Sequence, residues 1–162
     1  MSVVNAGRAI EVVRSSVVRA PREQVWARVV TAEGVAREFG PLLTMRFPAG
    51  LVGASIADVP LGRPVGRAWI LLLGLVPVEY DDLLIAALEA PRYFQERSRR
   101  GSCRVWEHRR ELDALPDGTT RVTDTLRAVP RALLPRPLVR TVVGALFTHR
   151  HRRLGRAFSG QV

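Results

Sequence analysis

Residues 104–129 have the sequence RVWEHRRELDALPDGTTRVTDTLRAV. Two runs of alternating apolar and polar residues flank an Asp-Gly pair. An Asp-Gly pair supplies the positive φ that a tight turn between antiparallel strands requires. The segment therefore predicts a β-hairpin whose strands are Arg104–Leu112 and Arg121–Val129.

Upstream of this hairpin, further short segments rich in β-branched and apolar residues end at Gly, Pro or Asp. We predict strands over residues 10–20, 42–47, 66–73, 82–88 and 93–99. The apolar segment 68–78 is interpreted as a buried strand and turn, and residues 48–64, rich in Gly and Pro, are left unassigned. Strands joined by short turns indicate an antiparallel meander.

Two short helices are predicted between the first two strands. Pro21 suits the start of the first helix, because proline has no N–H to leave unpaired there. Apolar residues then recur at helical spacing up to Val30. Gly34 is expected to interrupt this helix and to leave residues 35–39 as one further helical turn.

Beyond Pro137 the spacing of apolar residues changes from two to three or four. The predicted stripe consists of Leu138, Val142, Leu146, Phe147, Arg150, Leu154 and Phe158, with Arg140, His151, Arg152 and Arg156 largely off it. A helix from about Leu138 to Phe158 with one apolar face would cover an open sheet. The expected fold class is therefore α+β.

Composition indicates one globular domain, because the chain has 162 residues and 47% of them are hydrophobic. All 25 basic residues are arginine, and they give a net charge of +10. This charge is spread along the chain without base-stacking aromatic or zinc-ligand patterns, so we expect no nucleic-acid partner. The basic cluster 149–153 suggests a weak contact with anionic membrane surfaces.

The sequence contains no signal-peptide pattern, and segment 68–78 is too short to span a bilayer. We therefore expect a cytoplasmic protein. Cys103 is the single cysteine and is interpreted as a structural thiol. His149 and His151 are two residues apart and point to different helix faces, and no phosphate-binding loop or Cys-x-x-Cys pair occurs. We expect neither a metal nor another cofactor.

Several motifs resemble one superfamily. Ser16–Trp26 looks like a strand-to-helix entrance common in its bacterial members. Gly101–Leu112, followed by Asp117–Asp124, is similar to a subgroup that has Gly-Pro-Phe before a Trp-x-His strand, although Ser102-Cys103 replaces Pro-Phe here. Residues 146–154 are also similar to the last helix of that subgroup.

Through these motifs and the order of its elements, the chain resembles the SRPBCC superfamily. This superfamily includes START lipid-transfer domains, the birch-pollen allergen group and polyketide cyclases. The resemblance covers about residues 8–158 of a single domain expected over residues 1–162. It implies a helix-grip fold, in which a curved antiparallel sheet wraps a long C-terminal helix around a pocket for a small apolar molecule.

Alternate residues of a strand share a face, and the more apolar faces of the hairpin contain Trp106 and Leu126. That assignment also points His108, Arg110 and Asp124 inward. Asp124 is expected to pair with Arg110 or to accept a hydrogen bond from His108. These groups could form the polar end of an apolar pocket, with His108 as the candidate proton donor, or a structural network that fixes strand register.

Trp26, Trp69 and Phe147 are interpreted first as core residues. Trp69 and Phe147, together with Trp106, are also candidates for ligand contact. Three functions remain open on these residues. They are binding of a lipid, polyketide or isoprenoid, cyclase- or dehydratase-like catalysis through His108, Arg110 and Asp124, and a non-catalytic interaction protein whose cavity is filled by its own side chains.

Overall fold

A computed structural model describes residues 9–160. Seven strands and three helices follow one another in the order β1 (Ile10–Val18), α1 (Arg22–Val29), α2 (Ala32–Phe39), β2 (Leu43–Arg46), β3 (Pro64–Leu72), β4 (Val76–Glu89), β5 (Tyr93–Arg100), β6 (Cys103–Ala114), β7 (Thr120–Pro130) and α3 (Arg136–Phe158). The unassigned residues 48–64 contain two short 3₁₀ turns, Ala49–Leu51 and Ile56–Asp58.

The strands form one curled antiparallel sheet in the order β1-β7-β6-β5-β4-β3-β2. The predicted hairpin is confirmed, because β6 pairs with β7 and places Arg110 opposite Asp124. Helix α3 lies against the concave side and packs mainly on β1 and α2. The α+β helix-grip architecture expected from the sequence is confirmed.

The buried face of α3 differs from the predicted stripe in its first half. Leu138 and Val142 are exposed, whereas Val139 and Val143 are buried with Phe147 against β1, β6 and β7. His151, expected off the stripe, is also buried. In the first turns of α3, the buried face is therefore shifted by one residue toward the C-terminus relative to the predicted stripe.

Gly34 does not end α1 as expected. The chain breaks at Val30 and Thr31, and the Thr31 hydroxyl accepts a hydrogen bond from the Gly34 N–H at 3.0 Å as the cap of α2. Gly34 lies in the first turn of α2, where a Cβ would be 1.9 Å from the carbonyl oxygen of Arg28. Glycine is required because the two helices approach each other so closely.

The apolar segment 68–78 forms a strand and turn as predicted, but only part of it is buried. Ala68 and Ile70 face the core. Trp69 lies on the outer face and is 42% exposed, with its ring 5.9 Å from that of Tyr80. The interpretation of Trp69 as a core residue is therefore wrong. In the described part of the chain, no helix is long and apolar enough to cross a bilayer.

Candidate functional site

Asp124 is the centre of a buried polar network on the concave side of the sheet. Its carboxylate accepts two hydrogen bonds from Arg110, each 2.7 Å long, and one each from Nε2 of His108 and Nε2 of His151, both 2.9 Å long. Burial opposes ionisation of this carboxyl, but the charge of Arg110 outweighs it and holds the pKa of Asp124 well below its usual range. Asp124 is thus a paired, ionised group.

Arg110 links the sheet to α2 and, through Glu38, to α3. Its guanidinium donates to Glu38 on α2 at 2.7 and 3.0 Å, and Arg150 on α3 donates to the same carboxylate at 3.0 Å. Burial raises the pKa of Glu38, but the two guanidinium charges lower it by more. Loss of Arg110 would leave Glu38 with one guanidinium instead of two and Asp124 with none, and a buried carboxylate that loses its charged partner is strongly destabilising.

His151 connects α3 to the first strand. Its Nε2 donates to Asp124 at 2.9 Å, and its Nδ1 and the Ser16 hydroxyl are hydrogen-bonded at 2.6 Å. One imidazole therefore bridges β1, β7 and α3, which fixes both the rotation and the position of the helix on the sheet.

The network continues across the sheet through His108. Its Nδ1 lies 3.6 Å from Oε2 of Glu96 on β5, and the Ser98 hydroxyl donates to the other oxygen of Glu96 at 2.8 Å. Arg100 lies 3.5 Å from Glu96 and donates to Oδ2 of Asp81 on β4 at 2.5 Å. Four neighbouring strands thus contribute polar groups to one face.

The pKa values of Asp81 and Glu96 are shifted in opposite directions. Burial raises the pKa of Asp81 to about 7, because the charge of Arg100 offsets the loss of water only in part and Glu96 repels a second negative charge. Burial also opposes ionisation of Glu96, but His108 and Arg100 outweigh it and lower the pKa of Glu96. Asp81 is therefore the carboxyl that holds a proton near neutral pH.

The balance of buried charges agrees with that assignment. Within the described residues, the buried network contains four carboxyl groups (Glu38, Asp81, Glu96 and Asp124) and three guanidinium groups (Arg100, Arg110 and Arg150). The network therefore has one more carboxyl than guanidinium. A proton on Asp81 leaves three carboxylates matched in number by the three guanidinium groups.

A cavity of about 40 Å³ lies beside this polar cluster. Its lining consists of Val35, Phe39, Met45, Phe47, Ile56, Asp81, Leu83, Ile85, Phe94, Glu96, Arg100, His108 and Arg150. The space suffices for about one water molecule. Oδ1 of Asp81 and Nε of Arg100 are both buried without a hydrogen-bond partner among the described residues. The cavity thus has a largely apolar wall, and two of its lining residues each carry a buried polar atom without a partner.

The residues singled out from the sequence fall in three different places. Of these, only His108 lines the cavity, while Arg110 and Asp124 are buried in the polar network. Both expected partners of Asp124, Arg110 and His108, bind it together. Trp106 and Phe147 pack against each other in the core at 6.4 Å, and Trp69 lies on the outer face, away from the cavity.

Sequence reasoning missed most of the network, namely Ser16, Glu38, Asp81, Glu96, Ser98, Arg100 and His151. A signal was present for β5, where Glu96, Ser98 and Arg100 alternate in phase with the apolar Phe94. Another was present for His151, which lies four residues after Phe147 and three before Leu154. For Glu38 and Asp81 no comparable pattern marks the inward face.

The C-terminal basic cluster 149–153 does not form a continuous charged surface. Arg150 and His151 point into the core, and Nε2 of His149 is held 2.8 Å from the carbonyl oxygen of Gly40. The membrane contact expected from this cluster therefore loses two of its five side chains.

Within residues 9–160, no group of three or more histidine, cysteine or carboxylate side chains is arranged to hold a metal ion. Cys103 is buried, and burial raises the pKa of its thiol. A raised thiol pKa disfavours the nucleophilic thiolate, in line with a structural cysteine.

Solved structures share this architecture at low sequence identity. A protein from Chromobacterium violaceum has 13% identity and a TM-score of 0.71, with 95% of this chain and 99% of that chain covered. A START superfamily protein from Mycobacterium smegmatis has 14% identity and a TM-score of 0.68, with 94% and 99% covered. DynU16, a protein of the dynemicin biosynthetic locus, has 18% identity and a TM-score of 0.61, with 93% of this chain and 47% of that chain covered.

Comparison with curated proteins gave no match. The structural likenesses, all below 20% identity, establish the START-like helix-grip fold. A family model described as "Domain of unknown function (DUF8410)" matches residues 16–158, which is most of the chain. The protein therefore belongs to the DUF8410 family and has a START-like helix-grip fold.

Proposed function

We propose that the protein binds a small, largely apolar molecule carrying a hydroxyl or carbonyl group in the cavity beside His108. The observation that carries the proposal is a pair of buried atoms without a hydrogen-bond partner among the described residues, Oδ1 of Asp81 and Nε of Arg100, on two residues that line the cavity. A buried polar group without a partner costs about 1–3 kcal/mol. A ligand hydroxyl or carbonyl that bonded to these atoms would recover that energy.

The chemistry of the lining fits such a ligand. Aromatic and aliphatic side chains from α2, β2, β4 and β5 form most of the wall, and the polar end is formed by groups from β4, β5, β6 and α3. Neutral Asp81 can donate as well as accept, while the Arg100 Nε–H donates. Lipids, polyketides and isoprenoids combine an apolar body with the few oxygen atoms that such an end would orient.

The cavity must enlarge before it can hold such a molecule. It measures about 40 Å³, whereas pockets for drug-sized ligands measure about 300–1,000 Å³. The wall includes Met45, a flexible side chain, and Phe47 and Ile56 from the segment before and within the 3₁₀ turns. Displacement of these side chains would open the space toward that segment.

A matched pair of probes tests the proposal. Farnesol and farnesene share an isoprenoid chain, and only farnesol carries a hydroxyl. We expect farnesol to bind about tenfold more tightly in calorimetric titration, which corresponds to one net hydrogen bond. Asp81→Asn should change the ratio of the affinities for farnesol and farnesene. Absence of binding by both probes, or equal affinity for both, would contradict the proposal.

A cavity-filling variant provides the second arm. Val35→Phe adds volume at the cavity wall and should abolish probe binding, whereas Val13→Phe adds the same volume on an exposed strand face and should not. Both variants must show the wild-type melting transition. Native mass spectrometry of protein purified from its own host would then identify a co-purifying ligand.

A second candidate function rests on the small volume itself. A cavity of about 40 Å³ also suits a non-catalytic interaction protein whose interior is filled by its own side chains. Failure of both probes, together with native spectra that show only the bare chain, would favour it. Catalysis is less favoured, because Arg110 and Asp124 are tied up in the network and only His108 of the three lines the cavity.

A further inference from the structure

Strand β1 has one edge that pairs with no other described element. It is the first strand in the order of the sheet, so only β7 is hydrogen-bonded to it. In the described part of the chain, the backbone of residues 11–17 makes one hydrogen bond outside that pairing, from the Arg14 side chain to the Val13 carbonyl oxygen at 2.8 Å. The free edge of a strand presents unpaired N–H and C=O groups with which another strand can pair.

This edge is accessible, and its backbone is regular. A groove of about 610 Å³ is lined by residues 11–14 of β1 and by Arg140, Thr141 and Gly144 of α3. The pairing of β1 with β7 contains no register shift, and β1 contains no proline. Bulges and prolines are among the features that keep edge strands from pairing with other chains. The backbone of β1 is therefore suited to the addition of a further strand.

The outward-facing residues of β1 and of the position after it have a self-complementary order. They are exposed and occupy alternate positions, Glu11, Val13, Ser15, Val17 and Arg19. If two copies pair antiparallel about a two-fold axis at Ser15, each Glu11 lies opposite the other copy's Arg19, and each Val13 opposite the other copy's Val17. Opposite charges and apolar side chains that face each other across a strand pair stabilise it.

The two charged residues have no ionic partner within the chain. Arg127 lies opposite Glu11 on β7, but its guanidinium is 3.8 Å from the carboxylate of Glu107. Among the described residues, neither Glu11 nor Arg19 takes part in an ion pair. A second copy of the strand would give each of them an oppositely charged neighbour, which favours a copy of this chain over an unrelated strand.

We propose that two copies of the protein pair through β1, antiparallel and centred on Ser15, so that one sheet continues across the dimer. The contact uses the same residues on both copies and closes at two. The exposed Arg14 side chain can leave the Val13 carbonyl as the strands pair. One strand pair is smaller than a standard interface, so we expect a Kd of about 10–100 μM. The proposal is independent of ligand binding, because β1 does not line the cavity.

Cysteine cross-linking tests both the contact and its register. Residues directly opposite in an antiparallel pair have Cα atoms about 4.5–5.5 Å apart, a distance that a disulfide spans. Ser15→Cys should therefore give a cross-linked dimer under mild oxidation. Val17→Cys is the matched control, because its two copies would be roughly 13 Å apart along the strands. Cys103 is buried and should not compete. Equal cross-linking of both variants, or none with Ser15→Cys, would overturn the proposal.

Charge reversal tests the pairing of Glu11 with Arg19. Glu11→Arg and Arg19→Glu each place like charges opposite each other and should weaken self-association roughly tenfold in sedimentation velocity. The double variant restores opposite charges and should associate as wild type does. Glu23→Arg makes the same change of charge at an exposed position of α1 and should have no effect. Wild-type protein that stays monomeric up to about 1 mM, or a double variant as weak as the single variants, would contradict the pairing.

Discussion

Replacement of Asp81 by asparagine should change how the stability of the protein depends on pH. Asp81 is fully buried on β4, and its raised pKa of about 7 means that the folded protein keeps a proton that the unfolded chain releases near pH 4. Asparagine has nearly the same shape and retains an oxygen that can accept from Arg100, but it does not titrate.

The sign and size of this pH dependence of stability follow from proton linkage. Between about pH 4 and pH 7 the folded state binds more protons than the unfolded state, so the free energy of unfolding of the wild type falls as the pH rises through this window. From pH 5 to pH 8 this one carboxyl should remove roughly 2–3 kcal/mol. Carboxyls with a lowered pKa, such as Glu38 and Asp124, are ionised in the folded state and mostly ionised in the unfolded state above pH 5, so they add little to the change.

Urea denaturation followed by tryptophan fluorescence at pH 5, 6, 7 and 8 would measure the effect. Relative to wild type, Asp81→Asn should gain roughly 2–3 kcal/mol of stability between pH 5 and pH 8. Asp82→Asn is the control on the same strand, because Asp82 faces outward and pairing with Arg67 lowers its pKa. Parallel stability curves for wild type and Asp81→Asn would refute the assignment of the buried proton to Asp81.

Three further substitutions test the packing around the network. Trp106→Ala should lower the free energy of unfolding by about 3–5 kcal/mol in urea denaturation, because Trp106 is buried and the centroid of its ring lies 3.7 Å from the guanidinium carbon of Arg100. A loss below about 1 kcal/mol would contradict the core position of Trp106. Arg110→Met removes the guanidinium that Glu38 and Asp124 share and should cost about 3–5 kcal/mol, because two buried carboxylates lose a charged partner. The outward-facing Arg109→Met should cost less than about 1 kcal/mol, and equal losses for the two variants would contradict the network. Gly34→Ala should lower stability by about 1–3 kcal/mol through overlap with the neighbouring helix, while Gly50→Ala, with open space around it, should be near neutral in the same measurement.

The architecture could be predicted because its signals are local and strong. The Asp117-Gly118 turn between two alternating runs fixed the β6–β7 hairpin, and the change of period after Pro137 marked α3. Which face of α3 packs on the sheet was harder to predict, because the arginines and histidines in the second half of the helix interrupt the apolar stripe. Its true face follows the stripe from Val139 through Val143 to Phe147, and the sequence offered a second stripe one residue earlier.

The buried network was harder to predict because it depends on contacts between distant parts of the chain. The inward face of β6 could be chosen from Trp106, and the partners His108, Arg110 and Asp124 followed from it. Glu38 lies 72 positions before Arg110, and a carboxylate next to a phenylalanine on a short helix looks like any solvated residue. The small cavity depends on side-chain conformations, which cannot be predicted from the spacing of residues along the sequence.

The buried hydrogen bonds of His151 and Arg150 hold α3 in place, and this affects how the interior exchanges with solvent. Ser16, Asp124 and Glu38 hold His151 and Arg150, so α3 can leave the sheet only when several buried pairs break together. The 3₁₀ segment on the far side is tied by fewer bonds, among them the Ile56 N–H to the Val30 carbonyl at 2.8 Å. Its amides should therefore exchange with deuterium through local opening, at rates far above those of α3, and that opening would set the rate at which molecules enter or leave the cavity.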